Sequence, residues 1–440
     1  MNTKSFILLS LLLGLVSCSD DTGKEQEVVP VDPVPEVVGT ELPSYELRVL
    51  EDMGGETAPM TFTGALSEGD YAIVDAINEF SFKLFRKVRS NGSTGDNPFV
   101  SPFSVQQVLA MLCNATEGSV QSEILSALGY EEHSIEAFNS CNGKLLSDMR
   151  QRVRDTALEV SNAVWVQESY PVYRSFLRAV ENAYSADVCA IDFGNEKAGD
   201  IINYWSNENT HGLIPEVVKP GPLQAVTLLA NSVYFKARWY QEFLKSNTQR
   251  DRFTNIDGSY SEVDMMRTDL YMKYASLDNA DVVSVPYIDN YSMMVFLPHA
   301  GVSADDFADC IDASLMKEVK DKQSLRYIDL QLPKFSLETR MDLTETLSAL
   351  GIKQLAEGAN LTKMSPDNLF ISKMEQLTKL NVDEEGTEAA AVTLAYVDGD
   401  YINDDPTPTP IVFKADRPFL FLIRDDNSGA ILFMGYVKSL

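Results

Sequence analysis

Histidine is almost missing from this chain. Its 440 residues hold three, His133, His211 and His299. Many zinc-hydrolase sites and Ser-His-Asp triads rely on imidazoles set beside ligands or nucleophiles. Here His133 stands between Glu132 and Ser134, His211 precedes Gly212, and His299 follows Pro298. These are turn positions, suited to solvated side chains. No nucleophile elbow, zinc-protease helix or phosphate-cradling glycine loop occurs. Cysteine is sparse too. Cys18, Cys113, Cys141, Cys189 and Cys310 lie far apart with no paired spacing, so no disulfide framework or zinc ribbon is implied. Cys113 ends the apolar run from Leu109 and reads as a small buried hydrophobe. Basic charge is short as well: 36 Lys and Arg face 65 Asp and Glu, a net charge of −29. Such a surface repels phosphate backbones and excludes nucleic acid as a partner. The acids are spread along the chain, and no pair is singled out for glycoside hydrolysis. Asp305, Asp306 and Asp309 lie close together but lack calcium-loop spacing. No enzyme activity, metal or cofactor is expected.

The long apolar run at the start sets the compartment. Lys4 is the only charged side chain before residue 18, and Phe6 to Val16 has signal-peptide length, too short to span a bilayer. It ends in Leu15-Val16-Ser17-Cys18, which resembles a bacterial lipobox; a plain secretory signal with Cys18 incidental is the other reading. Ser19-Asp20-Asp21 resembles an acidic surface-export signal. Residues 1–17 are therefore expected to be a lipoprotein signal peptide, with Cys18 lipidated. The chain is expected to be exported and lipid-anchored at the bacterial outer membrane, surface-exposed, touching the membrane only through that anchor. Residues 18–69 read as an acidic, Pro/Val-rich tether, semi-rigid from Val28 to Val38. A small strand or two before Asp70 is the alternative.

Residues 70–440 read as one compact domain, with an apolar content of 45% for the chain, ample for a large core. Ile73, Ile77, Phe80, Leu84 and Val88 form one helical stripe. Ser101-Pro102 places a capping hydroxyl before a first-turn proline, and a further helix ends at Gly129. Leu158, Val160, Val164 and Val166 alternate as in a strand, and Ala225 to Phe235 has buried-strand character. Asp289-Asn290 turns one strand into the next, at Ser292 to Leu297. Asp342 with Glu345 resembles a capping box for a helix that stops at Gly351. Strands close the chain at Ile411–Lys414, Phe419–Ile423 and Ile431–Val437, the last two joined by an Asn-Ser-Gly turn. Helices early and strands late, without βαβ alternation, predict an α+β fold with mixed sheets.

The most informative stretch runs from Val382 to Tyr396. Gly386 permits a hinge. Beyond it Thr387, Ala389, Ala391, Thr393 and Ala395 recur at period two, all small or β-branched and uncharged, so this face could slide over a packed core. From Val397 to Pro410 the chain is polar and rich in turn formers, an exposed loop.

Glu384-Glu-Gly-Thr-Glu-Ala-Ala-Ala-Val-Thr393 resembles the reactive-loop hinge of the serpin family, and the likeness extends over nearly all of residues 71–440. Asn97-Pro-Phe-Val-Ser-Pro-Phe-Ser104, the set Asn203, Trp205, Thr210, Gly212 and Ile214, Asn231-Ser-Val-Tyr-Phe-Lys-Ala-Arg-Trp239, Ala415 to Phe421 and Leu432 to Gly435 resemble further family segments. The resemblance implies several helices packed on a large mixed sheet, with two smaller sheets and an exposed reactive loop at about 386–412. It implies a monomeric protease inhibitor whose cleaved loop inserts as a new strand and traps a serine protease, or a cysteine protease, covalently. A non-inhibitory surface binding protein of the same family is the alternative. The hinge would comprise Glu384, Gly386, Thr387, Ala389, Ala390, Ala391 and Thr393. The shutter beneath it would comprise Ser101, Ser104 and Asn231, with Gln376 where many animal members carry histidine, and Trp239 would mark where insertion begins. Counting from Glu384 puts the scissile bond at Asp400-Tyr401, with Ile402 one step on; counting back from Pro418 gives about Thr407. The tip holds four aspartates and no basic residue, which disfavours trypsin-like targets.

Overall fold

The apolar stripe after Tyr71 lies on a helix, Glu68–Ser90, with Ile73, Ile77, Phe80, Leu84 and Val88 all buried. Ser67 and Asp70 open it reciprocally. The Ser67 N–H donates to Asp70 Oδ2 at 2.7 Å, and the Asp70 N–H donates to Ser67 Oγ at 3.2 Å. Ser101 caps the helix Pro102–Ala115, its Oγ accepting from the Ser104 N–H at 3.3 Å with Pro102 in the first turn. The helix Gly118–Ala127 runs out at Gly129, whose φ is 79°. The capping box expected at Asp342 and Glu345 does not form. Asp342 ends the strand Phe335–Asp342 and is paired with Glu375, so its backbone stays extended. Its Oδ1 accepts from the Thr344 N–H at 2.8 Å, and Leu343 caps the helix Thr344–Ala349.

The computed structural model describes residues 43–51, 62, 64–90, 97–130, 134–152, 157–371, 374–387 and 409–440. The signal segment, Cys18, the tether to residue 42, His133, Ala389, Ala390, Ala391, Thr393, Asp400, Tyr401 and Ile402 lie outside the described residues.

Two sheets organise the fold. The six-stranded sheet has the order Phe335–Asp342, Glu375–Val382, Gly386–Thr387, Thr227–Arg238, Ala157–Gln167, Asp187–Ile191. Its last pair is parallel and the others are antiparallel, so it is mixed. Beside it stand a nine-stranded sheet and a two-stranded one. The 17-residue strand Tyr260–Ser276 carries the continuity of the nine-stranded sheet, pairing with Gln249–Thr254 near its start and Ala280–Pro286 near its end. Asp289 and Asn290, with φ of 60° and 62°, make the turn between Ala280–Pro286 and Tyr291–Pro298. The final hairpin, Phe419–Asp425 with Ile431–Val437, turns at Gly429 and is buried through most of its length.

A main core lies between the sheets and the helices Glu68–Ser90 and Pro102–Ala115. A second cluster, with Ala163, Trp165, Ile191, Phe193 and Ile202, joins the helix Ala198–Asn209 to the six-stranded sheet. Asn203 laces the linker after that helix. Its Oδ1 accepts from the Val217 and Val218 N–H groups at 2.8 and 3.0 Å, and its Nδ2 donates to the Val218 carbonyl at 2.8 Å. All four described cysteines are free. Burial pushes the Cys113 and Cys141 thiols up to about 12 and the Cys189 thiol to about 11.

The boundary expected at residue 69 falls earlier. Tyr45, Leu47 and Val49 alternate inward against the two cores, with Ser44, Glu46 and Arg48 exposed. Val49–Leu50 pairs in parallel with Val172–Tyr173. The Val172 N–H donates to the Arg48 carbonyl at 2.8 Å, Arg48 Nη1 to the Ser169 carbonyl at 2.8 Å, and Arg174 Nε to Glu51 Oε1 at 2.6 Å. Three inward apolar side chains and a short ladder are enough to hold this segment on the body.

Candidate functional site

The segment expected to be the hinge begins in a tight turn. After the strand Glu375–Val382, the Asp383 N–H donates to the Gly386 carbonyl at 2.9 Å, while Asp383 Oδ1 accepts from the N–H groups of Glu385 and Gly386 at 2.9 and 3.3 Å. The chain thus reverses into the two-residue strand Gly386–Thr387. Gly386 pairs with Arg238, and Thr387 pairs with Ala237 on one side and Val382 on the other. A Cβ at Gly386 would collide with the Ala237 carbonyl, so only glycine seats here. The expected loop span of 386–412 is therefore corrected at both ends, because Gly386–Thr387 and Ile411–Lys414 are already laddered.

Trp239 and its neighbours clamp the turn. The indole Nε1 donates to the Asp383 carbonyl at 2.9 Å, and the Trp239 and Phe243 N–H groups donate to the carbonyls of Glu385 and Glu384 at 3.0 and 2.9 Å. The indole stacks on Tyr287, ring centroids 4.2 Å apart and planes 9° apart. Tyr287 and Thr387 share a hydroxyl–hydroxyl hydrogen bond of 2.6 Å. Glu384 is buried, accepting from Thr248 Oγ1 and pairing with Lys334 Nζ, both at 2.8 Å. Burial alone would raise its carboxyl. Hydrogen bonds from Lys334, its own backbone and Thr248 outweigh that and hold it below the ordinary value.

Further down, the residues expected to form a shutter converge. Gln376 grips the Ser101 backbone twice: its Oε1 accepts from the Ser101 N–H at 3.2 Å, and its Nε2 donates to the Ser101 carbonyl at 2.8 Å. Ser101 Oγ donates to the Leu432 carbonyl at 2.8 Å, and Ser104 Oγ donates to Asn231 Oδ1. Asn231 Nδ2 in turn donates to Asn162 Oδ1 at 2.7 Å. The amide of Gln376 thus links its strand to Asn231 through the cap of the helix beneath, with no imidazole involved.

The strands Thr227–Arg238 and Glu375–Val382 flank the hinge strand, yet among the described residues no ladder pair joins them directly. A cavity of about 30 Å³ lies between them at Ser104, Asn231 and Gln376. A larger one of about 540 Å³ continues past Leu228, Leu229, Arg340 and Leu377. This corrects the buried-strand reading of Ala225 to Phe235: Leu228 to Asn231 are only half-buried. Their apolar run suits a strand made to be covered on a flank that the described chain does not pair.

Of the residues named from sequence, the structure brings Ser101, Ser104, Asn231, Trp239, Gln376, Glu384, Gly386 and Thr387 together along the path from the turn to Asn231. Sequence reasoning missed Tyr287, Phe243, Thr248, Lys334 and Asn162, which stand in other strands and loops with no local pattern to mark them. The other candidates fall apart from this path. His299 pairs with Asp281 at 3.4 Å, and Asp305 and Asp309 are engaged by Arg89 at 3.4 and 2.8 Å.

Comparison with known proteins follows the same line. A family model described as Serpin (serine protease inhibitor) matches residues 75–440. Iripin-2 of Ixodes ricinus is 31% identical over 382 residues, covering 84% of this chain and 94% of its own. Among solved structures, the thermophilic serpin tengpin in its native state aligns with a TM-score of 0.74 at 25% identity, covering 90% of this chain and 98% of that one. Thyroxine-binding globulin in complex with thyroxine aligns with a TM-score of 0.75 at 26% identity, covering 84% and 99%.

Proposed function

This chain belongs to the serpin family, and from that premise we propose that it inhibits proteases by loop insertion. A serine protease, or a cysteine protease as the second class, cuts the loop near Asp400-Tyr401 and is held as an acyl-enzyme. The freed strand then enters the six-stranded sheet and drags the enzyme away from the hinge. The observation that carries this reading is the pairing of Gly386–Thr387 between two strands that do not otherwise pair. In the same antiparallel register, Thr393 would meet Asn231 on one side and Gln376 on the other, and Val397 would reach Thr227. Thr387 faces the core, so period two would turn Ala389, Ala391, Thr393 and Ala395 inward with it. Roughly ten new ladder bonds at about 1 kcal/mol each give on the order of 10 kcal/mol. That is comparable with the whole stability of a protease domain, about 5–15 kcal/mol. The reading places the inhibitor outside the cell, held by Cys18 and acting as a monomer.

The alternative, a non-inhibitory binding protein, draws on the likeness to thyroxine-binding globulin. Incubation with a protease panel separates the two, with mass spectrometry of any SDS-stable adduct to read the bond. An inhibitor yields such an adduct; a binding protein yields none. Thr387→Arg tests insertion itself, because a guanidinium cannot be held in the buried seat from which the inserted strand would grow. The variant should be cut at the wild-type rate without forming the adduct. Normal trapping by Thr387→Arg would overturn the mechanism.

A further inference from the structure

The hinge holds a polar contact that insertion as such does not require. Thr387 and Tyr287 are almost fully buried, 1% and 2% exposed, and their hydroxyls share the 2.6 Å hydrogen bond. Tyr287 is held by its neighbours. Its ring lies flat on Trp239, meets Phe235 edge-on at 5.5 Å, and its backbone bridges to Trp239. Trp239 is itself tied to the turn at Asp383 and Glu385. The phenol is thus a rigid post standing where the first inserted side chain arrives. A hydroxyl at this depth that loses its partner is left unsatisfied, which makes the site selective for a hydroxyl-bearing residue.

The geometry points to Tyr287 as a positioning residue that seats Thr387 in the sheet before any cleavage, so that insertion starts from a formed nucleus. The assignment rests on the insertion reading above. Growth of the strand leaves the pairing of Thr387 with Ala237 and Val382 unchanged, so the bond made at rest is also made in the product. It therefore commits the hinge instead of opposing its movement. Nucleation is the costly step in extending ordered structure, and a pre-seated first residue removes part of that cost.

Amide hydrogen exchange of the peptide carrying Gly386 and Thr387, read by mass spectrometry on the intact chain, tests this without a target protease. Tyr287→Phe and Thr387→Val each leave one buried hydroxyl unpartnered and should exchange about fivefold faster, the factor expected for one net hydrogen bond. Thr387→Ser keeps the hydroxyl and should match wild type within about twofold. The double variant Tyr287→Phe, Thr387→Val should exchange no faster than either single variant. Unchanged exchange in both singles, or independent multiplication in the double, overturns the assignment. A second readout separates it from the inhibitory reading. After the loop is nicked with thermolysin, Tyr287→Phe should gain heat resistance more slowly than wild type. If nicked wild type gains none, the inhibitory reading fails, while the exchange data still judge the Tyr287–Thr387 contact.

Discussion

At the residue scale, the buried carboxylate of Glu384 is the most exacting commitment at the hinge. A charge this deep is tolerable only because Lys334 and Thr248 satisfy it. Glu384→Gln should lower the stability of the intact chain by about 1–3 kcal/mol at neutral pH. Because the folded-state carboxyl titrates below the ordinary value of 4.5, the wild-type advantage should be fully present above about pH 4.5. It should fade as the pH falls through the lower folded value, where Glu384 takes up its proton in the native state as well. Melting temperatures of the two proteins across pH 3–7 check this; a constant difference across that range would refute it. Glu384, Gly386 and Thr387 were visible in the sequence because they sit together in one run. Lys334 and Thr248 were not, since a partner from a distant segment leaves no spacing to recognise.

At the scale of elements, period and punctuation did most of the work. The helix Glu68–Ser90, the cap at Ser101, the turn at Asp289-Asn290 and the three closing strands all stand where local pattern placed them. The failures share one cause, which is a tertiary pairing that local pattern does not report. Asp342 could not cap because the ladder with Glu375 keeps it extended. Pro43 to Glu51 looked like tether, although Tyr45, Leu47 and Val49 alternate, because eight residues of period two next to a Pro-rich stretch do not by themselves imply a receiving surface. Its docking predicts a sharp difference between two truncations. A chain starting at Pro43 should melt like one that keeps the tether. A chain starting at Asp52 loses the pairing with Val172–Tyr173 and the Tyr45 contact with the Trp165 cluster, and should be about 2–4 kcal/mol less stable. Equal melting of the two would mean that the segment adds nothing to the fold.

At the scale of the molecule, the six-stranded sheet has one strand position filled for only two residues among those described. A sheet completed by the nicked loop gains on the order of 10 kcal/mol. The nicked chain should therefore melt more than about 10 °C above the intact one, by calorimetry at matched pH and salt. Under the proposed function, the resting state is held by a kinetic barrier, not by being the lowest available state. The chain by itself determined the acidic composition, the α+β class and the period-two run of small uncharged residues after Gly386. Each of these is a matter of composition or of a local repeat. Only the tertiary structure decided that Thr387 is already seated, that Tyr287 meets its hydroxyl, that Gln376 reaches Asn231 through Ser101 and Ser104, and that residues 43–51 belong to the body. Those facts arise where segments far apart in the chain are brought within hydrogen-bonding distance, and no repeat along a single segment encodes such a meeting.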